Sequence, residues 1–358
     1  MKTAKKVLAI LLAAILGVGL FTGCHKKNEI AVKIGDYKYT SGYYACALVY
    51  ADTEARQKVT DDFEEKGKDT TDIDFMKQKI DGTAYEKWVK NRAIEILKET
   101  SGYRALCKEQ GFKLTADNKS AAENYVNNYW DSFGYEEIFS ANGCSRDTFL
   151  KFTTDSYYAQ VYFDNIYGKE GKTPVTDEQL KEALANKFVV VDRIEVDTAD
   201  LSDEEITAKT DLLKGYLDRL NAGESFSNIF VDYDTAEGNE ARDVTAGNGT
   251  DSPTDPNAEF LGDDKSAYPC DYFDELSAMA PGENKIIESG TKLILVKRLD
   301  ISGESYYLTN YDDALRTAVV GDAPKEAAKE KAEKLGIKTY KSAINVFKVK
   351  NITYPENE

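Results

Sequence analysis

One run, Phe188-Val189-Val190-Val191-Asp192-Arg193-Ile194-Glu195-Val196, constrains the fold more than any other stretch of the 358 residues. It begins as a continuous block of β-branched and aromatic residues and then alternates apolar with polar. That is the pattern of a strand covered on both faces at its start and on one face at its end. The residues before it, by contrast, carry apolar groups at helical spacing, so a sheet must interrupt a helical chain near Lys187.

Ahead of the interruption, Ile30, Val32 and Ile34 alternate with polar or small residues, and Gly35-Asp36 supplies a turn into Tyr37–Thr40, giving strand, turn, strand. From Ser41 the spacing turns helical. Residues 52–72 are charged and poor in apolar side chains and read as a loop. Tyr85–Gln110 reads as a helix through Trp88, Ile94, Leu97 and Leu106, stopped by Gly111. Thr115–Tyr135 and Ser145–Tyr167 read as two more helices, and Thr176-Asp177-Glu178-Gln179 is a capping box that opens a fourth. After the strand, Ser202-Asp203-Glu204-Glu205 is a second capping box. Its helix places Ile206, Leu213, Leu217 and Leu220 on one face and ends at Asn221-Ala222-Gly223. Residues 234–257 read as a loop, Tyr272–Ala280 as a short helix, and Lys292–Arg298 as a strand. Asp322-Ala323-Pro324 opens a helix that ends at Gly336, and Ile344–Ile352 reads as a terminal strand.

The first 24 residues are of another kind. Lys2, Lys5 and Lys6 precede an apolar run, Val7–Leu20, that is short for a membrane span and has the length of a signal peptide. Leu20-Phe21-Thr22-Gly23-Cys24 resembles the cleavage and lipidation motif of bacterial lipoproteins, with Phe21 where Leu or Val is usual. The resemblance implies a signal peptide over 1–23 and a lipid on Cys24 that holds the chain at the extracytoplasmic face of the cell membrane. Acyl chains stabilise such attachment by about 0.8 kcal/mol per CH₂.

Charge and composition then remove classes of function. The net charge is −17, and loss of a segment with three lysines and no acid takes it to −20. Such a surface repels phosphate backbones, so no nucleic-acid partner is expected. His25, beside the lipidation motif, is the only histidine, which leaves no base for a serine nucleophile and no structural zinc site. Neither a phosphate-binding glycine motif nor any other cofactor signature is present, so no cofactor or metal is expected. Asp251, Asp255, Asp263 and Asp264 could suggest calcium, but no EF-hand spacing links them and a solvated acidic loop is the expectation. With Cys24 lipidated, Cys46, Cys107, Cys144 and Cys270 remain. Free buried thiols are expected, and the spacing chooses no pairing for the alternative of two disulfides.

Residues 187–300 carry pieces that resemble, in order, a parvulin-type peptidyl-prolyl isomerase module of the PrsA-like and SurA-like foldases. They are Arg193-Ile194-Glu195-Val196, the helix end Leu217–Phe226, Phe260-Leu261-Gly262, Phe273–Leu276 with Met279 and Pro281-Gly282-Glu283, and Ser289–Val296. The resemblance implies an α+β fold. A mainly helical chaperone-like domain would be made from 24–186 and completed by the helix and strand of 301–358, with a parvulin-like α/β domain, a small antiparallel sheet plus helices, inserted at 187–300. It implies peptide-binding candidates Phe260, Phe273 and Met279. It also implies catalytic positions that here are degenerate: Arg193 and Lys292 (or Thr291) stand where the family has histidines. Neither side chain can act as a tautomerising imidazole. The function implied is that of a membrane-anchored extracytoplasmic chaperone for unfolded or partly folded exported proteins, with an inactive isomerase module. An active isomerase with rearranged groups and a non-chaperone surface scaffold or adhesion protein are the alternatives.

Overall fold

This computed structural model describes residues 29–130, 132, 134–242, 257–263, 265–301 and 304–354. They form two compact units. One takes the chain up to Ile166, Glu170–Lys172 and everything from Asp322 onward; the other takes Tyr167–Lys169 and Thr173–Gly321. The expected signal segment, Cys24 and His25 lie outside the described residues, as do Asp251, Asp255 and Asp264. Asp263 is described, and its carboxylate accepts from the Lys265 amide at 3.0 Å. Among the described residues no cluster of His, Cys, Asp or Glu could hold a metal ion, and no helix is long and apolar enough to cross a membrane.

In the first unit, β1 (Ile30–Ile34) and β2 (Tyr37–Thr40) pair antiparallel around Gly35, whose φ of +56° the turn requires. The Thr40 hydroxyl then accepts from the Tyr43 amide and caps α1 (Ser41–Glu65). This helix runs through most of the stretch expected to be a loop. Its buried stripe continues as Ala51, Ala55 and Val59, and a stripe built from two alanines and one valine is too thin to register as an apolar pattern. A small hairpin, β3 (Lys79–Ile80) and β4 (Thr83–Ala84), leads into α2 (Tyr85–Gln110), which Gly111 ends at φ +77°. α2 buries Tyr85, Val89, Ala93, Leu97, Ser101 and Ala105 at a four-residue repeat, with Gly102 and Cys107 beside them, while Trp88 and Ile94 are only partly buried.

The helix expected over 115–135 is α3 (Ala116–Trp130), which ends earlier, and a further short helix, α4 (Tyr135–Ala141), begins after Gly134 with φ +69°. Then α5 spans Arg146–Tyr167. Cys46 on α1 and Cys144 just before α5 form a disulfide across 98 residues, which corrects the expectation of free thiols for that pair. Cys107 and Cys270 are free and buried, and burial pushes the Cys107 thiol up to about 11.

The second unit opens with α6 (Asp177–Lys187), capped by the reciprocal Thr176–Gln179 box, and passes directly into β5 (Phe188–Asp197). Next come α7 (Asp203–Asn221), with its Ser202–Glu205 box, and α8 (Phe226–Ala236), capped by Ser225. The latter takes up the beginning of the stretch expected to be a loop. The sheet is completed by β6 (Glu259–Gly262), α9 (Phe273–Ala278), β7 (Asn284–Ser289) and β8 (Lys292–Arg298). Its order is β6-β5-β8-β7 and every neighbouring pair is antiparallel. Two further helices, α10 (Glu304–Asn310) and α11 (Asp312–Val320), belong to this unit. The unit is thus wider at both ends than the 187–300 stretch. The reason lies in β5: Phe188 and Val190 face away from the α9 side and need cover, which Leu180, Ala183, Leu184, Tyr307 and Leu315 of the three flanking helices supply.

The chain then returns to the first unit through α12 (Ala323–Leu335), with Pro324 in its first turn, and β9 (Ile337–Thr339). β9 joins the free edge of β1, giving the order β2-β1-β9. Both edges of β1 are then occupied, so Ile344–Ile352, expected to be a strand, has no place on it. It forms instead the end of α13 (Lys341–Ile344) and a 3₁₀ turn over Val349–Asn351.

Candidate functional site

Alternation along β5 decides what the sheet of the second unit displays. Val189 and Val191 face the α9 side, where they pack with Leu261, Ile287, Ile294 and Val296 beneath Tyr272, Leu276 and Met279. Ile194 and Val196 face the opposite side and pack on α7 and α8. The period of two therefore puts Arg193 and Glu195 on the α9 side, one step beyond the apolar patch.

There they enter a network of charges. Arg193 holds Glu259 through two parallel bonds, Nε to Oε1 at 3.1 Å and Nη2 to Oε2 at 2.9 Å. Its Nη1 reaches Glu195 Oε2 at 3.1 Å and also donates to the Tyr272 hydroxyl. That hydroxyl in turn donates to Glu195 Oε2 at 3.0 Å. Lys292, at the start of β8, lies 3.3 Å from Glu195 Oε1 and 3.5 Å from Asp271 Oδ2. Two cations and three carboxylates thus meet at one end of the sheet face around a tyrosine that is 1% exposed.

The surroundings keep the two cations charged and the tyrosine and neighbouring thiol protonated. Burial disfavours the Arg193 charge, but the bond to Glu259 and the nearby Glu195 together outweigh it and hold the guanidinium above its usual range. Lys292 follows the same logic: burial opposes its charge, and Glu195 and Asp271 reverse the balance. Burial raises the Tyr272 hydroxyl and the Cys270 thiol, so both stay protonated at neutral pH. A charge-assisted bidentate pair of this kind gives geometric rigidity. General acid–base work needs a group that exchanges its proton near the working pH, and neither cation, nor the tyrosine, nor the thiol does so.

The sequence candidates are distributed unevenly around this network. Arg193 and Lys292 both belong to it, bridged by Glu195. Thr291 stands beside it and donates to Asp197 at 3.1 Å. Met279 and half-buried Phe273 pack together on the α9 side. Phe260 does not join them. It lies on the opposite face, stacked on Phe188 at 4.6 Å and on Tyr311 at 4.0 Å. The three therefore do not form one pocket, because neighbouring residues of β6 point to opposite faces and it is Leu261 that meets Met279. Glu195, Glu259, Tyr272 and Asp271 were not singled out from the sequence. The first two were accessible by counting alternate positions from Arg193 and from Leu261, whereas the last two sit in an irregular segment with no period.

No protein-family model matches the chain, and no curated protein matches it. Among solved structures it is similar to the foldase protein PrsA of Streptococcus pneumoniae, at 14% identity over 75% of this chain and 97% of that one, with a TM-score of 0.39. It is also similar to PrsA of Bacillus subtilis, at 16% identity over 68% of this chain and 87% of that one, with a TM-score of 0.28.

Proposed function

We propose that this protein is an extracytoplasmic chaperone, anchored by lipid on Cys24, that binds unfolded or partly folded exported polypeptides and does not catalyse prolyl isomerisation. The observation that carries this role is the path of the five sequence pieces resembling a rotamase module. They lie on β5, on the junction of α7 and α8, on β6, on α9 with its Pro281-Gly282 stop, and on β7–β8, all elements of one sheet and its covering helices. Arg193 and Lys292, which the sequence resemblance sets where parvulins carry histidines, are held in fixed charge states by carboxylates. The uncatalysed barrier to X–Pro rotation is about 18–20 kcal/mol, and lowering it needs groups free to favour the twisted amide, whereas Arg193 and Lys292 are engaged in ion pairs. The Cys46–Cys144 bond supports the compartment, since such bonds persist where the surroundings are oxidising.

The test uses purified residues 25–358. At an equimolar ratio the protein is expected to slow aggregation of a chemically unfolded client, and an X–Pro peptide is expected to isomerise at its uncatalysed rate. Failure to slow aggregation would remove the chaperone role, and a rate above background would remove the inactive module.

A further inference from the structure

The end of the described chain is held the way a protein holds a peptide. Asn142, which follows α4, grips the backbone of Thr353 from both sides: its Nδ2 donates to the Thr353 carbonyl at 2.9 Å and its Oδ1 accepts from the Thr353 amide at 3.2 Å. The Thr353 side chain takes no part and is exposed. One residue on, the Tyr354 hydroxyl donates to Asp52 Oδ2 at 2.8 Å, and its ring lies over the Arg56 guanidinium at 4.8 Å. Phe75 also lies against that guanidinium, its ring centre 4.5 Å away. Backbone bonds that ignore side-chain identity, followed by a pocket for one aromatic residue, are the two parts of extended-peptide recognition.

The pocket is also self-sufficient without its occupant. Asp52 is fully buried, yet it already receives Arg56 Nε on Oδ2 at 2.8 Å and the Tyr85 hydroxyl on Oδ1 at 2.8 Å. Departure of Tyr354 therefore strands no buried charge, which is the usual obstacle to opening such a contact. What opening uncovers is an aromatic-backed guanidinium and a carboxylate with a spare lone pair, a combination suited to a tyrosine ring carrying a hydroxyl donor.

We propose that Asp52, Arg56, Phe75 and Asn142 form a binding groove for extended polypeptide segments bearing tyrosine, and that residues 353–354 occupy it as an internal competitor that incoming segments displace. This rests on the client-binding role proposed above and gives it a location.

The experiment keeps the full mature chain and changes only the competitor. Thr353→Pro removes the amide that Asn142 accepts, and Ile352 at ψ 124° suits a following proline. Combined with Tyr354→Ala it vacates the groove and leaves the Ile352 side chain in its packing. A fluorescein-labelled peptide of residues 350–358 is then titrated and followed by polarisation. The double variant is expected to bind it at least about tenfold more tightly than the unaltered chain, and adding Asn142→Ala is expected to abolish the gain. A peptide with phenylalanine for tyrosine is expected to bind about tenfold more weakly, because it lacks the bond to a carboxylate. Equal affinity of the folded double variant and the unaltered chain would overturn the proposal. So would loss of cooperative melting in Thr353→Pro alone, which would make the tail part of the core. Aggregation of an unfolded client separates the two ideas. Peptide binding without protection leaves the groove and removes the chaperone role, whereas protection with unchanged peptide affinity does the reverse.

Discussion

Arg193 and Glu259 meet across the β5–β6 pair in a two-pronged bond, at 3.1 and 2.9 Å, and this bond ties the edge strand to the strand beside it. Glu259→Gln keeps the shape and removes the charge. Glu259 is 44% exposed, so solvent screens the pair, and the expected loss is about 1 kcal/mol of unfolding free energy. Arg193→Ala should cost more, about 2–3 kcal/mol, because the carboxylate of Glu195 and the buried Tyr272 hydroxyl lose a shared partner. Urea unfolding of both variants checks the order. Equal losses would mean that Glu259 alone carries the contribution of the network.

Helices α2 and α12 approach so closely that a methyl group on Gly102 would lie 1.8 Å from the Ala328 carbonyl oxygen. Ala328 and Ala332 are both fully buried, so neither helix has a long side chain to move aside. Gly102→Ala is expected to destabilise the first unit by about 3 kcal/mol and to make the 322–354 segment sensitive to protease. Gly215, exposed on α7 with open space around it, is the control. There the same substitution should raise stability by about 0.5–1 kcal/mol, because it only restricts the unfolded chain. Thermal melts of the two variants should move in opposite directions.

Elements whose burial is two-sided or strongly alternating could be read directly. The Phe188–Val196 run and the two capping boxes, Thr176–Gln179 and Ser202–Glu205, all stand where the sequence puts them. What escaped is what tertiary contact supplies. The far half of α1 is a helix because Ala55 and Val59 meet a neighbour, not because the stretch is apolar. Asn284–Ser289 breaks its alternation with adjacent Ile286 and Ile287, yet it pairs with β8 along its length. Ile337–Thr339 is exposed throughout and is a strand only because β1 offers it an edge. At the candidate site, Arg193 and Lys292 were singled out from the sequence by a resemblance, and both belong to the charge network. That Glu195 bridges them depends on the β5–β8 register, which pairs Glu195 with Ile294 and Asp197 with Lys292.

The same dependence on tertiary structure governs the cysteines. The Cys46–Cys144 bond closes 98 residues, and in the chain-entropy account a loop of that length is stabilised by about 4–5 kcal/mol. Cys46→Ala with Cys144→Ala should lower urea stability by that order. Alkylation of denatured, unreduced residues 25–358 should modify two thiols, those of Cys107 and Cys270. Four modified thiols would refute the pairing.

Alkaline pH should loosen the protein, and the sign follows from protons held in the native state. Burial raises the Tyr39 hydroxyl, bonded to Ser101, from 10.0 to about 12, and the Tyr44 hydroxyl likewise. Cys107 rises from 9.0 to about 11 for the same reason. In each case the native state keeps a proton that the unfolded chain releases earlier, so the unfolding free energy falls as pH rises between the two values. The contribution is complete below pH 9 and is lost progressively between about 9 and 12. Urea midpoints should therefore stay level in this respect from pH 7 to 8.5 and decline steeply above 9. Tyrosinate absorbance of the folded protein should lag behind that of the denatured chain over the same interval. A folded protein whose 23 tyrosines all ionise together near pH 10 would show that these hydroxyls are open to solvent and would contradict their burial.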